Sequence, residues 1–397
     1  MSVLLNRLKN RTGLELGICT LHGTTDTQFR ADNVDYFIVK RSLLRTVQSR
    51  LRSSRAALPA KSQILSYASI VGQWDPDVIH VHGTEQDYGL IKAWGLTDKP
   101  LAVSIQGLMA PLSRKANGEL SASETSGPIR RLLLRSGSDL PGCRVFRARI
   151  PTEEAVLRSA DMVLGRTEWD HSWAWALRPS VRYRHVDEMM RPEFRAAEPW
   201  TIATCRRHQV FCTSGPTASK GLHVLLDAIR RLRQVYPSIK LHVASVGFES
   251  RPYWPQNDYV RFVFDLVGKW DLSHAVRFLG WQPADAMVEQ LRAAHCFVTP
   301  SFLENGCNAL QEAMLAGNPC VATFSGGLLT TVAPETTGLL FPVGDSALLA
   351  RQIDRLFQDD TLAISLGAKA RLVARERHDP DRVEGQLMRA YEELVHP

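Results

Sequence analysis

Two glutamates in one short stretch carry the sharpest chemical signal in this sequence. Glu304 and Glu312 stand eight apart in Pro300-Ser-Phe-Leu-Glu-Asn-Gly-Cys-Asn-Ala-Leu-Gln-Glu312, with Ala313, Met314, Gly317 and Pro319 behind them. An apolar strand ends near Pro300, a loop carries Glu304, and a helix starts around Gly306. A carboxylate before that helix and another about two turns in can point into one cleft. Carboxylates accept paired hydrogen bonds, which suits the neighbouring hydroxyls of a ribose or hexose. The helix N-terminus offers N–H groups and a positive dipole end, which suits a diphosphate. Gly306 lets the backbone come close to a ligand. The plainer alternative makes both glutamates surface residues of a helix.

Other candidates carry less. His80 and His82 alternate with Val in a strand ending at Gly83. One is expected to face the core, while His82, at the strand's end, is a candidate for the cleft. Trp169, Trp173 and Trp175 have the faces to stack on a sugar, but half-buried packing is the simpler reading. Asp75-Pro-Asp77 precedes a strand and reads as a turn rather than a metal site. The seven cysteines show no CxxC pair or ligand-like clustering, which suits small core thiols in a reducing compartment.

These residues need a frame. Val210–Thr213 reads as a strand running into Ser214-Gly215-Pro216, and Gly221 to Tyr236 as a helix. Lys240–Val246 and Val276–Leu279 follow as strands, and Ala284–Ala293 as a helix. Cys296–Thr299, Asn308–Ala316 and Cys320–Thr323 continue as strand, helix and strand. Such alternation predicts a parallel sheet with helices on both faces. The first half repeats the grammar: strands at Leu14–Leu21, Asp77–His82, Leu101–Ile105 and Met162–Leu164, helices at Ala60–Gln73 and Glu153–Ser159. Between Gly107 and Ile150 the pattern lapses into a loop-rich insertion. Arg191–Trp200 carries two prolines and mixed charge and reads as the linker. The expected architecture is α/β, two doubly wound domains facing a central cleft, with ligands at the carboxyl ends of the strands.

The chain's 397 residues exceed one ordinary core, and its 44% hydrophobic and 22% charged residues fit a globular protein. No apolar run approaches the roughly 18–20 residues of a membrane span, and Met1–Asn10 reads as neither signal peptide nor anchor, so a cytoplasmic location is expected. Net charge is +7, and the first 198 residues carry 28 Lys and Arg against 21 Asp and Glu, the remainder 20 of each. The densest basic stretch, Arg130, Arg131, Arg135, Arg144, Arg147 and Arg149 around Leu132-Leu133-Leu134, mixes charge with apolar bulk. That favours peripheral contact with an anionic membrane over nucleic acid, a solvated face being the alternative.

The Glu304–Glu312 region closely resembles the E-x7-E region of glycosyltransferase family 4. Ser219-Lys220-Gly221-Leu222, Ser325-Gly326-Gly327, Gly338-Leu339-Leu340 and Pro342-Val-Gly344-Asp345 sit where that family has similar elements, strongest over 210–345. Asp75–His82 and Ala160–Leu164 look like its N-domain strands. The resemblance implies the GT-B fold: residues 1–195 on the acceptor side and 196–375 binding the nucleotide-sugar. A C-terminal helix at 376–397 would pack back on the first domain. It implies catalytic roles for Lys220, at the donor phosphates, and for Glu304, at the transferred sugar. Glu312 would hold the ribose, with Gly306, Cys307, Asn308, Ser214 and Gly215 also meeting the donor. It implies retention of anomeric configuration, no metal, and no cofactor, the nucleotide-sugar being a substrate.

Three departures stand out. The family's Arg about five residues before the lysine is replaced by Ser214-Gly215-Pro216, leaving backbone amides, Arg206 or Arg207 as substitutes. Its N-domain histidine aligns with Gln106, which becomes an acceptor-side candidate beside His82 and cannot shuttle a proton. The strand and Gly-rich loop that open family members have no counterpart before Leu14, so the first domain is expected to lack its first strand. The implied function is transfer of a hexose-type sugar to a glycan or lipid-linked acceptor in surface polysaccharide synthesis. The alternatives are a catalytically impaired nucleotide-sugar-binding subunit or a nucleotide-sugar 2-epimerase.

Overall fold

A computed structural model describes residues 2–23, 25–41, 59–121, 124, 141–248 and 258–396. The chain divides into two compact units. One comprises Met1–Ser113, Pro141–Met189 and Asp379–Pro397; the other comprises Arg114–Leu140 and Met190–His378. The described residues 114–121 and 124 thus group with the second unit.

In the first unit, β1 (Leu16–Leu21), β2 (Thr27–Ala31) and β3 (Val34–Val39) form a three-stranded sheet of order β1-β3-β2. The β2–β3 pair is an antiparallel hairpin turning at Asp32-Asn33, both with positive φ, a turn chemistry that Asp and Asn tolerate. A second, parallel sheet holds β4 (Ile79–His82), β5 (Leu101–Ser104), β6 (Met162–Gly165) and β7 (Tyr183–His185) in chain order. Its central strands are buried on both faces: Leu101, Val103 and Val163 join one core, Ala102, Met162 and Leu164 the other. The second core includes Leu387, Ala390 and Leu394 of the terminal helix Pro380–Val395. The expected loop-rich insertion is in part helical: Met109–Lys115 and Pro141–Ser159 are helices, the second running through Pro151. Arg144, Arg147 and Arg149 ride that second helix, whereas Arg130, Arg131, Leu132-Leu133-Leu134 and Arg135 lie outside the described residues.

The second unit holds one six-stranded parallel sheet. Its strands are β8 (Arg206–Thr213), β9 (Lys240–Ala244), β10 (Val276–Gly280), β11 (Ala294–Thr299), β12 (Cys320–Thr323) and β13 (Leu339–Phe341). They lie in the order β10-β9-β8-β11-β12-β13. Successive residues feed opposite cores, Val210 and Cys212 into one and Phe211 into the other, so the strands read as continuous apolar runs. The helices Leu222–Leu232 and Ser346–Gln358 cover the first face; Ala284–Ala293 and Asn308–Ala316 cover the second. Numbered from the unit's own start, the strand order is 3-2-1-4-5-6, the doubly wound arrangement whose crossovers diverge after strands one and four. A crevice therefore opens beyond the carboxyl ends of β8 and β11.

Candidate functional site

That crevice is occupied by a cavity of about 330 Å³, lined by Thr213 at the end of β8, Ser214 and Gly215 after it, Ala244 of β9, and Thr299 and Ser301 at the end of β11. Lys220, Glu304, Gly306, Cys307, Asn308 and Ala309 complete it. Seven of the residues singled out in the sequence, Ser214, Gly215, Lys220, Glu304, Gly306, Cys307 and Asn308, thus share one wall system. Thr213, Thr299, Ser301 and Ala244 are additions: as single small residues at strand ends they leave no pattern in a sequence.

Lys220 reaches the cavity from a 3-10 turn, Ala218–Lys220, that precedes the helix Leu222–Leu232. Between them Gly221 sits at φ +70, and a Cβ there would collide with the Pro300 carbonyl. The Phe302 N–H donates to the Ser219 carbonyl at 2.7 Å, so the lysine turn and the glutamate loop are laced together. Lys220 Nζ donates to Glu304 Oε1 at 2.7 Å. Burial pulls the ammonium's pKa down, but the Glu304 charge and hydrogen bond outweigh it and hold Lys220 above its ordinary value. A permanent cation therefore faces the cavity.

The Glu304 loop is braced from outside the cavity by Ser325-Gly326-Gly327. Ser325 Oγ donates to the Phe302 carbonyl at 2.8 Å, and the Gly327 N–H donates to the Glu304 carbonyl at 2.9 Å. Behind the loop the helix Asn308–Ala316 begins at Cys307, whose side chain makes no capping hydrogen bond. The N-terminal residues Gly306, Cys307, Asn308 and Ala309 line a cavity that also presents a lysine, an arrangement of N–H groups and positive charge that suits an anion.

Glu312 lies one turn further along that helix and is buried, with 7% of its side chain exposed. It meets Arg191 in a fork: Nε donates to Oε1 at 2.8 Å and Nη2 to Oε2 at 2.9 Å. Burial raises the Glu312 pKa, and Arg191 opposes the rise. Arg191, 121 positions upstream, has no sequence signal for this role. Arg206 and Arg207 do not replace the missing phosphate contact. They stand at the start of β8, about 20 Å from its cavity end at ~3.3 Å per residue, and Arg207 pairs there with Asp360.

In the first unit, Gln106 is exposed, and its Oε1 accepts from Arg166 Nη2 at 2.9 Å. His80 and His82 share one face of β4 with rings 3.9 Å apart, because alternate strand residues point the same way; neither turns to the opposite side. His80 is tied to the Tyr391 and Ser104 hydroxyls at 2.6 and 2.7 Å. Burial pushes His82 down to about 4, so it is neutral near pH 7. Trp169 and Trp173 meet each other edge to face and pack, partly buried, against a core, whereas Trp175 is 59% exposed. Asp75 ends the helix Lys61–Trp74 and pairs with Lys99 at 2.6 Å. Of the cysteines, Cys19 is exposed and Cys307 lines the cavity, departing from the expectation of core thiols. Among the described residues no group of three His, Cys, Asp or Glu side chains is placed to hold a metal ion.

Glu153 holds this region in register. Its carboxylate accepts from the Met109 N–H at 2.8 Å and from Thr84 Oγ1 at 2.7 Å, joining the loops that follow β4 and β5. Burial raises its pKa to about 7. With a folded value above the ordinary 4.5, its stabilising contribution is complete below about pH 4.5 and is lost as pH rises through 7. Glu153→Gln is expected to flatten this component, worth about 3 kcal/mol for a shift of that size. Urea midpoints of both proteins at pH 5 and 8.5 check it.

Residues 208–373 match the family described as Glycosyl transferases group 1. D-inositol 3-phosphate glycosyltransferase of Corynebacterium efficiens is 33% identical over 151 residues, 38% of this chain and 35% of that relative. The chain spans well under half the length of the relatives of that name that it matches. Among solved structures, sucrose-phosphate synthase from Thermosynechococcus elongatus superposes with TM-score 0.71 at 18% identity, covering 97% of this chain and 90% of that one. Anabaena HepE in complex with UDP-glucose superposes with TM-score 0.64 at 16% identity, covering 91% and 87%. At such identities the likeness shows the fold, which is the α/β architecture of GT-B glycosyltransferases with two Rossmann-like units.

Proposed function

We propose that this chain, whose residues 208–373 match the Glycosyl transferases group 1 family, is a retaining, metal-independent glycosyltransferase of family 4. It moves a hexose-type sugar from a nucleotide-sugar to a glycan or lipid-linked acceptor in surface polysaccharide synthesis. The observation that carries the reading is the cavity at the divergence of β8 and β11, where Lys220, Glu304 and the N-terminus of the helix Asn308–Ala316 converge. Lys220 and the Asn308–Ala316 N-terminus meet the donor diphosphate and offset the charge that grows on it as the glycosidic bond breaks. Glu304 accepts from hydroxyls of the transferred sugar, and Glu312 from the ribose diol. Backbone amides after β8 stand in for the missing arginine. Gln106 and His82 face the acceptor and fix hydroxyls without carrying a proton. The nucleotide-sugar is a substrate, and no cofactor is used.

The complex of the structural neighbour HepE with UDP-glucose supports a hexose donor. The exposed Arg144 and Arg147 support peripheral docking on an anionic membrane at the cytoplasmic face. No described helix is long and apolar enough to cross a membrane, and nucleic acid is not a partner in this reading. The test is to incubate the protein with UDP- and GDP-hexoses, chelator and a panel of glycan and polyprenyl-linked acceptors, then to assign the product's anomeric centre by NMR. Transfer with retention supports the proposal; an inverted product, or activity abolished by chelator, contradicts it. Glu312→Ala is expected to raise the donor KM by about tenfold or more with a smaller change in kcat, since its contacts lie away from the reacting centre.

A further inference from the structure

Glu312 presents a problem that the expected ribose contact alone does not solve. A carboxylate buried to this depth, without compensation, takes up a proton and becomes a poor acceptor for a diol. The structure supplies the compensation in Arg191, at the start of the short helix Pro192–Ala196 and outside the matched domain. Its guanidinium lies 4.7 Å over the ring of Phe194, itself fully buried, so the fork approaches Glu312 from a fixed platform. A two-pronged contact uses one lone pair on each carboxylate oxygen and leaves the others directed away from the arginine. Glu312 follows the cavity-lining Asn308 and Ala309 by four and three positions, on one face of the helix. It lies about 6 Å beyond Asn308 along the axis, comparable to the reach from a diphosphate to the hydroxyls of its ribose.

We infer that Arg191 is the positioning residue for ribose recognition: its fork keeps Glu312 ionised and turned so that the remaining lone pairs meet the 2′- and 3′-hydroxyls. The inference rests on the proposed nucleotide-sugar site and adds to it a specificity determinant located outside the Glycosyl transferases group 1 domain. Arg191 acts through Glu312, so its loss is read in which nucleotide binds as well as in how tightly.

The test is calorimetric titration with UDP and 2′-deoxy-UDP, and in parallel GDP and 2′-deoxy-GDP, from pH 6 to 9. The proteins are wild type, Arg191→Ala, Arg191→Lys, Glu312→Gln and the Arg191→Ala/Glu312→Gln double variant, each checked for folding by thermal melting. Wild type is expected to prefer the ribonucleotide. Arg191→Ala is expected to lose about 30-fold or more in its affinity at pH 7, with little further loss for the deoxy form, so that the preference collapses. Its affinity should also rise with pH more steeply than that of wild type, because burial raises the Glu312 pKa and the opposing arginine is gone. Arg191→Lys should keep the charge but weaken the preference, and the double variant should bind no worse than Glu312→Gln alone. Equal losses for both sugars, or a full preference in folded Arg191→Ala, would reduce the pair to a structural tie and overturn the inference. If Arg191→Ala does not fold, an unchanged preference in Arg191→Lys overturns it. Failure of the wild type to bind any of the four nucleotides would remove the proposed site and this inference together, a result distinct from either of those.

Discussion

Replacing Lys220 with alanine is expected to lower kcat for sugar transfer by about 100- to 1000-fold, roughly 3–4 kcal/mol of transition-state stabilisation. The ammonium is in place before any donor arrives, held by Glu304 at 2.7 Å and kept protonated by that neighbour. Negative charge on the donor's bridging oxygen grows as the glycosidic bond lengthens, so a preplaced cation gains most at the transition state. Donor affinity should therefore fall much less than kcat. The cavity is open to water, so Glu304 can be solvated when its partner is removed. The melting temperature should then stay close to that of wild type. Single-turnover rates beside donor titrations separate the two effects. A variant that loses only affinity would assign Lys220 to ground-state binding.

Gly221→Ala is expected to damage the same site by a different route. The left-handed backbone at φ +70 costs an alanine about 1–2 kcal/mol. The methyl group also meets the Pro300 carbonyl, and overpacking of that kind costs about 1–3 kcal/mol. The sum, roughly 2–5 kcal/mol, lowers the melting temperature of the second unit by on the order of 10 °C. Because Gly221 immediately follows Lys220, the ammonium is displaced and activity falls as well. The contrast separates the two variants: Lys220→Ala loses turnover and keeps stability, whereas Gly221→Ala loses both. Thermal melts and kcat measured on both proteins check it, and a Gly221→Ala protein as stable as wild type would contradict the packing argument.

How much of this was legible in the sequence differed by element, for physical reasons. Ala284–Ala293, Asn308–Ala316 and Cys320–Thr323 have the bounds that pattern alone predicts. Their strands are buried on both faces and their helices end at glycine or just before a new strand. The β2–β3 hairpin leaves no burial pattern in the sequence because every residue of β2 is exposed. Its Asp32-Asn33 turn was the available signal. Of the helix Pro141–Ser159 the pattern marks only Glu153–Ser159, because Pro141, Gly142 and Pro151 read as loop residues. In the cavity, residues joined by short spacing were legible, as with Glu304, Gly306, Cys307 and Asn308. Arg191 was not, because its link to Glu312 spans 121 positions and exists only in the fold. The choice of Arg206 or Arg207 as phosphate contacts failed on strand length: a charge near a motif in sequence can sit at the opposite end of its strand.

Whether the β8–β11 cavity binds a nucleotide-sugar is read by calorimetric titration of the purified protein with UDP- and GDP-hexoses. Micromolar binding of at least one donor, weakened in both Lys220→Ala and Glu312→Ala, is the expected result. A folded protein that binds none of them, or one whose binding both variants leave unchanged, would contradict it.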